Sequence, residues 1–359
     1  MSEPLTTGGD VAPGLIAADR QTLVRRRAIL ILIVLATVAL VIWAATLGPL
    51  NIGLKQLWQA LISPDTVPGV VRAAVWEIRL PSLLLATFIG VALGVAGLQM
   101  QTILDNPLAE PFTLGLSGAA AFGAAAAIVL EWTIPGYEES SITIFAWVWS
   151  MVATILIVVM ARMRGAGSQT MVLMGIAVVF GFSAAVSLLQ YAATTEALSQ
   201  IVFWTMGSLT RATWNHVMIL GIVIAVSMPW WLFHQWDLTV MRMGENRAKA
   251  LGVNTGRVRI VSLVFVSLLA ATAVAFAGVI GFVGMIAPHV SRVLVGENQR
   301  LLLPMTIAVG AFVMTASHVI SISIISGVAI PVGIVTAIIG VPLFITIVLS
   351  KQTVQWGGQ

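Results

Sequence analysis

Long apolar stretches without a charged residue recur along the chain, and each is about long enough to cross a membrane. The hydrocarbon core of a bilayer takes about 20 residues of helix. Six such stretches are separated by polar or charged segments: 28–47, 81–104, 111–130, 140–161, 165–193 and 212–233. This pattern predicts six membrane-spanning helices.

Two further uncharged stretches, 260–290 and 301–350, are too long for a single crossing. Because glycine and proline punctuate helices, we divide each stretch in two at such residues. They are Gly278, Gly281, Gly284 and Pro288 in the first stretch, and Gly327 and Pro331 in the second. The sequence therefore predicts an all-α polytopic membrane protein of ten transmembrane helices.

The composition supports a membrane protein. Hydrophobic residues make up 59% of the 359 residues and charged residues only 9%, whereas about a quarter of a soluble domain is charged. Disorder is excluded as well, and the absence of cysteine excludes a disulfide scaffold. The arginines at 25–27 resemble the start of a signal peptide, but the apolar stretch is too long and lacks a small-residue cleavage site, which predicts a retained helix.

The distribution of Lys and Arg predicts the orientation. With the N-terminus inside, fourteen of the 18 basic residues fall in cytoplasmic segments, and the other four are Lys55, Arg72, Arg79 and Arg211. Basic residues concentrate on the cytoplasmic side of membrane proteins, so we expect both termini in the cytoplasm. Residues 1–24 are expected to form a mobile cytoplasmic tail, and 25–359 the transmembrane domain.

Two segments match each other at an offset of 181 residues. Residues 95–107 align with 276–288 so that Gly97 matches Gly278 and Pro107 matches Pro288. The predicted number of crossings between them is odd, which would invert one copy relative to the other. Inverted repeats interrupted by Gly and Pro are typical of a transport path, although chance similarity among common membrane residues remains an alternative.

Several motifs together are more specific. They are 77–81 (Glu-Ile-Arg-Leu-Pro), 106–111 (Asn-Pro-Leu-Ala-Glu-Pro), 204–209 (Trp-Thr-Met-Gly-Ser-Leu), 243–245 (Met-Gly-Glu) and 281–284 (Gly-Phe-Val-Gly). From about Glu77 to Leu349 the chain resembles the FecCD-type permease subunits of ABC importers for iron siderophores, haem and vitamin B12.

The resemblance implies a partnership. Two ten-helix subunits, identical or paralogous, would flank a central path in the cytoplasmic (inner) membrane of a bacterium. Two cytoplasmic ABC ATPases would lie below them and an extracytoplasmic substrate-binding protein above. The cargo would be an iron chelate, most simply a ferric siderophore. Where the family often has an acid, an Arg and a Glu between the last two helices, this chain has His318, Ile322 and Ala329, which favours a differing partner subunit.

The loop 234–257 resembles the family segment that meets the ATPase. Its pattern predicts a short helix, Glu245 to Leu251, with Ala248 and Leu251 on one face and Glu245 favoured by the helix dipole. A solvated basic loop is the alternative. The residues assigned to ATPase coupling are Gly244, Glu245, Arg247, Ala248, Lys249, Leu251 and Gly252.

The chain has no phosphate-binding loop of the type that hydrolyses ATP. Such a loop needs a Gly-x-x-x-x-Gly-Lys-Ser/Thr motif, and none of the lysines, Lys55, Lys249 and Lys351, lies in one. We therefore predict a translocation subunit without catalytic residues or a cofactor of its own, with ATP and magnesium held by the partner ATPase.

The residues expected at the path or gate lie around the helix breaks. Asn106 and Glu110 lie at the break between the second and third predicted helices, where backbone groups freed from the helix need hydrogen-bond partners. These residues could form a structural cap of the third helix as well as a gate. Of the two intramembrane amides, Gln99 is favoured over Gln101 as path-lining. The assigned set is Gly97, Gln99, Asn106, Pro107, Glu110, Gly278, Gly281 and Pro288.

Other polar residues suggest weaker sites. Lys55, Arg72 and Arg211 are candidates for docking the binding protein, while Arg79 is expected to anchor the end of the second helix. His289 and His318 lack carboxylates at ligand spacing, so no metal site is predicted.

Two other classes of protein are alternatives. An ion-driven secondary transporter of a small solute also uses inverted repeats, but it needs an intramembrane carboxylate, and the spans carry none away from their borders. A membrane enzyme or haem-binding electron carrier would need pairs of His residues that face each other across the bilayer. His289 and His318 give little support for such a pair.

Overall fold

A computed structural model describes residues 11–164, 167–325 and 327–350. The described residues form helices joined by turns, with no strand among them. The fifteen α-helices are α1 (Val11–Ala44), α2 (Leu54–Ile62), α3 (Gly69–Ala73), α4 (Leu80–Ile103), α5 (Leu116–Val129), α6 (Ser141–Arg164), α7 (Ser168–Ala192), α8 (Thr195–Thr205), α9 (Trp214–Phe233), α10 (Gln235–Met241), α11 (Glu245–Ala250), α12 (Thr255–Ala277), α13 (Val283–Val295), α14 (Gln299–Ser323) and α15 (Val332–Ser350). The predicted all-α class is confirmed.

Every predicted span corresponds to an apolar helix, but the helices differ in length. Among the described residues, seven helical segments are long and apolar enough to cross a membrane. The third, eighth and tenth predicted spans correspond to shorter apolar helices: Leu116–Val129, Val283–Val295 and Val332–Thr346. The count of ten complete crossings therefore stays a prediction.

Both divisions of the long uncharged stretches are confirmed. Helix α12 ends at Ala277, and Gly278 follows with φ +75°, a left-handed value that glycine adopts without steric cost. The chain resumes as a helix at Val283. Likewise α14 ends at Ser323 and α15 begins at Val332.

The boundary predicted between a tail and the first span is not marked by a break. Helix α1 is continuous from Val11 to Ala44, so residues 11–24 are helical rather than a tail of separate structure. Residues 1–10 of the predicted tail lie outside the described residues.

Helix α4 forms the centre of the bundle, and glycines let its neighbours approach it closely. A Cβ atom built on Gly90 would lie 2.2 Å from the backbone oxygen of Gly310 in α14, and one built on Gly97 would lie 1.7 Å from that of Gly284 in α13. In a membrane, where helix association depends on close van der Waals packing, small residues allow such contact. The backbones of α4, α13 and α14 therefore touch directly.

Arg79 anchors the start of this central helix. Its guanidinium is buried and donates hydrogen bonds to the carbonyl oxygens of Ala45 (2.8 Å) and Leu50 (2.5 Å), which follow α1. A guanidinium has five N–H groups and so can satisfy several carbonyls at once. The anchoring role expected for Arg79 agrees with these contacts.

Candidate functional site

The loop 234–257 contains the short helix that its pattern predicts. Helix α11 spans Glu245–Ala250, preceded by Gly244 at φ +101° and followed by Gly252 at φ +83°. Backbone values of this kind favour glycine and end helices. The two glycines therefore define the helix, as the sequence indicated.

Of the two residues expected on one face of α11, only Ala248 is buried, whereas Leu251 is 58% exposed. Leu251 follows α11 as its C-terminal cap, and its backbone N–H donates to the carbonyl of Arg247. Ala248 is therefore the residue of this pair that packs against the bundle.

Glu245 connects α11 to the transmembrane bundle. Its carboxylate accepts from Lys249 Nζ at 2.7 Å and from Arg259 Nη2 in α12 at 3.1 Å. The side chain of Arg259 is only 5% exposed, and its Nε donates to the carbonyl oxygen of Ile103, the last residue of α4, at 2.8 Å. A continuous polar chain thus runs from the loop helix to the central helix.

The same contacts set the charge state of Glu245. The hydrogen bond from Lys249 and the bond to Arg259 hold the pKa of the Glu245 carboxyl below its usual value. A lowered pKa means that pairing stabilises the ionised form. The contribution is present above the pKa of an unfolded Glu and is lost as the pH falls through the folded pKa.

A second polar chain, which the sequence did not indicate, reaches α4 from the other side. Glu297 accepts from Arg242 at 3.0 Å and from Arg292 of α13 at 3.2 Å. Arg292 also donates to the side chain of Gln101 in α4. Glu297 therefore joins the end of α10 to the end of α13, and through Arg292 to α4.

The last turn of α4 is thus held by side chains from three other helices. Gln299 of α14 adds a bond from its Nε2 to Thr102 Oγ1 at 3.2 Å. Neighbouring positions 101, 102 and 103 each receive a polar contact from α13, α14 or α12. A displacement of α11 or α10 would therefore be transmitted through these contacts to the last turn of α4.

Two of the residues expected at the path, Gly97 and Gln99, are buried in α4. Gln99 is fully buried, and its amide has no hydrogen-bond partner among the described residues. Gly97 faces Gly284 with no space for a side chain. Gly97 lies inside the regular helix α4, within the span predicted for residues 81–104, so the chain is not interrupted there.

The other paired positions of the repeat also differ. Gly278 ends a helix, where a Cβ atom would lie 2.2 Å from the backbone oxygen of Trp204. Pro107 lies in a turn, whereas Pro288 lies inside α13. The two segments of the repeat nevertheless contact each other, because Gly97 of the first packs against the backbone of Gly284 in the second.

The loop after α4 packs onto the break between α12 and α13. Asn106 Oδ1 accepts from the backbone N–H of Leu108 at 3.0 Å, which closes the loop's own turn rather than capping the following helix. The carboxylate of Glu110 accepts from the backbone N–H of Phe282, a non-glycine residue at φ +70°. Glu110 and Phe282 lie at a cleft of about 540 Å³, whose other lining residues are Leu108, Met285, Val341, Phe344 and Ile345.

The remaining break residue is less constrained. A Cβ atom on Gly281 would have no atom within 4 Å. Gly281 therefore adjoins open space beside the strained Phe282, unlike the tightly packed Gly278.

The three docking candidates lie on different elements. Lys55 is exposed on α2, and Arg72 is exposed and paired with Asp65 at 2.8 Å. Arg211 is exposed just before α9, beside a separate cleft. Among the described residues, no group of three or more His, Asp or Glu is arranged to hold a metal ion.

A bundle of apolar helices, seven of them long enough to cross a membrane among the described residues, packed through glycines and joined at one end to a short polar loop helix, is the architecture of a polytopic membrane protein. The comparisons with known proteins then identify the family. The sequence model of the FecCD transport family matches residues 32–350, and the chain belongs to this family.

Characterised relatives cover most of the chain. It is 30% identical to the hemin transport permease HmuU of Yersinia pestis, with 92% of this chain and 97% of that protein covered. It is 36% identical to the vitamin B12 import permease BtuC of Vibrio cholerae, with coverage of 83% and 88%. A solved structure described as a metal-chelate type ABC transporter in an inward-facing conformation has a TM-score of 0.79 at 31% identity, and covers 90% of this chain and 99% of that one.

Proposed function

We propose that this chain is the translocation subunit of an ATP-driven importer that carries an iron chelate, in the simplest case a ferric siderophore, across the cytoplasmic membrane. The relatives that transport hemin and vitamin B12 support a large organic cargo. The similar solved structure is described as a metal-chelate type transporter, which supports a cargo that contains a bound metal ion.

The observation that carries the proposal is the polar chain from α11 to α4. Glu245 lies on a loop helix at the end of the bundle and contacts the buried Arg259, which holds the carbonyl of Ile103. A partner that pushed or pulled α11 would move the end of the central helix. The proposed partner is an ABC ATPase dimer that binds ATP and magnesium on the cytoplasmic side.

The remaining subunits follow from the same proposal. A second permease chain, a paralogue or an identical copy, would complete the path, and an extracytoplasmic binding protein would deliver the cargo near Lys55, Arg72 and Arg211. Both termini would be cytoplasmic. An ion-driven secondary transporter is not favoured, because the family to which the chain belongs includes ABC permeases.

Purification from native membranes in mild detergent tests this assembly. We expect an ABC ATPase and a second permease chain to co-purify with the tagged chain. Detection of the chain alone, in a detergent that keeps it folded and monodisperse, would contradict the proposal.

A further inference from the structure

A cleft with both polar and apolar lining residues lies beside Arg211. It measures about 470 Å³ and lies where the start of α6, the helix α8 and the segment before α9 meet the turn before α15. Its polar wall is formed by Ser199, Gln200, Ser208, Thr210 and Arg211. Its apolar wall includes two aromatic side chains, Phe203 and Trp204.

Arg211 gives this cleft a positive charge. Among the described residues that line it, Arg211 is the only charged one, and no ion pair joins it to another described residue. The hydroxyls of Ser208 and Thr210 lie 2.9 Å apart on the same wall. Guanidinium and hydroxyl groups together recognise carboxylate and phenolate oxygens, while aromatic walls suit flat, unsaturated groups.

The wall of the cleft is continuous with the central helix breaks. The backbone N–H of Ser208 donates to the carbonyl of Ala277, the last residue of α12, at 2.7 Å. The carbonyl of Gly207 accepts from Val332, the first residue of α15, at 3.0 Å. A ligand in this cleft would therefore contact the segment that links α8 to α12 and α15.

We propose that this cleft receives an anionic chelate and that Arg211 selects its negative charge. The inference rests on the proposed function and narrows its cargo to chelates that carry carboxylate or catecholate groups. It also gives Arg211 a role different from docking of the binding protein, because this residue lines a cleft large enough for part of a chelate.

The test measures chelate binding to the assembled importer in lipid nanodiscs, without the binding protein, by quenching of tryptophan fluorescence. The probes are two anionic ones, ferric tris-catecholate and hemin, and a neutral one, ferric tris-hydroxamate. We expect Arg211→Gln to raise the Kd of an anionic probe about tenfold, as for loss of one charge-assisted hydrogen bond. Arg211→Lys should raise the Kd of the anionic probe by a smaller factor. Neither substitution should change the Kd of the neutral probe.

The matched control is Arg162→Gln, which removes an exposed cation at the far end of α6 and should leave all three Kd values unchanged. Equal Kd values for wild type and Arg211→Gln, an equal loss for neutral and anionic probes, or no binding of either anionic probe to the wild type would overturn the inference. Failure of the proposed function would appear separately, as absence of ATP-dependent uptake by the wild-type importer.

Discussion

Replacing Gly97 with alanine is expected to abolish the native packing of α4 on α13. The new Cβ atom would lie 1.7 Å from the backbone oxygen of Gly284 and 2.6 Å from its Cα atom. Backbone atoms of two packed helices cannot rotate away as a side chain can, so the helices must separate. We expect a loss of about 3 kcal/mol or more in the free energy of unfolding, at the upper end of overpacking effects.

The measurement is the thermal midpoint of the detergent-solubilised protein, followed by the monodisperse fraction after heating. Gly281→Ala is the matched control, because a Cβ atom there meets nothing within 4 Å and the backbone is not left-handed. We expect a large fall in the midpoint for Gly97→Ala and little change for Gly281→Ala. Equal midpoints for Gly97→Ala and wild type would show that α4 and α13 do not pack through this glycine.

Replacing Glu245 with alanine is expected to uncouple ATP hydrolysis from uptake. The substitution removes the carboxylate that joins α11 to Arg259 and leaves a buried cation without that partner. Movement of the loop would then no longer be passed to Ile103 through Arg259. We expect uptake to fall at least about tenfold while docking of the binding protein and ATP hydrolysis continue.

Arg300→Gln is the control for this prediction. It removes an exposed cation at the start of α14, outside the residues assigned to ATPase coupling, and leaves the Glu245–Arg259 pair in place, so uptake should stay close to the wild-type rate. Arg259→Gln should resemble Glu245→Ala, and the double variant should be no worse than either single one, as expected for residues that act as a pair. Normal uptake by Glu245→Ala would refute the coupling role.

The hydropathy pattern was enough to predict the apolar helices, because each transmembrane segment must be apolar along its length, but it did not predict α2, α3, α8 and α10. The break at Gly278 could also be predicted, since Gly and Pro punctuate the uncharged run there. The short lengths of α5 and α13 could not. They result from non-helical segments packed inside the protein, where neighbouring chain rather than water satisfies the backbone.

The candidate site could be predicted only in part. Gly244 and Gly252 reveal the bounds of α11 locally. The partner of Glu245, however, is Arg259 in the next helix, whose other contact is Ile103, 156 residues away. Such a contact depends on how separate helices pack together. No local pattern in a single sequence indicates that packing. Glu297 was missed for the same reason, since its two arginine partners belong to separate segments.

In the glycine repeat, the sequence suggested a similarity that the structure does not have. Gly97 and Gly278 look equivalent in the alignment, yet one lies within a helix and the other ends one. Glycine serves both close helix packing and left-handed turns, and the residue type alone does not distinguish these uses.

We propose that this chain is a passive path opened by ATPases bound to its cytoplasmic face. Reconstitution in proteoliposomes tests this most directly, with uptake of a radiolabelled ferric chelate measured for the chain alone and for the chain with its permease partner, and with the ATPase, ATP or the binding protein left out in turn. We expect uptake only when the permease partner, the ATPase, ATP and the binding protein are all present. Chelate accumulation by the chain alone, driven by an ion gradient and unaffected by the ATPase, would contradict it.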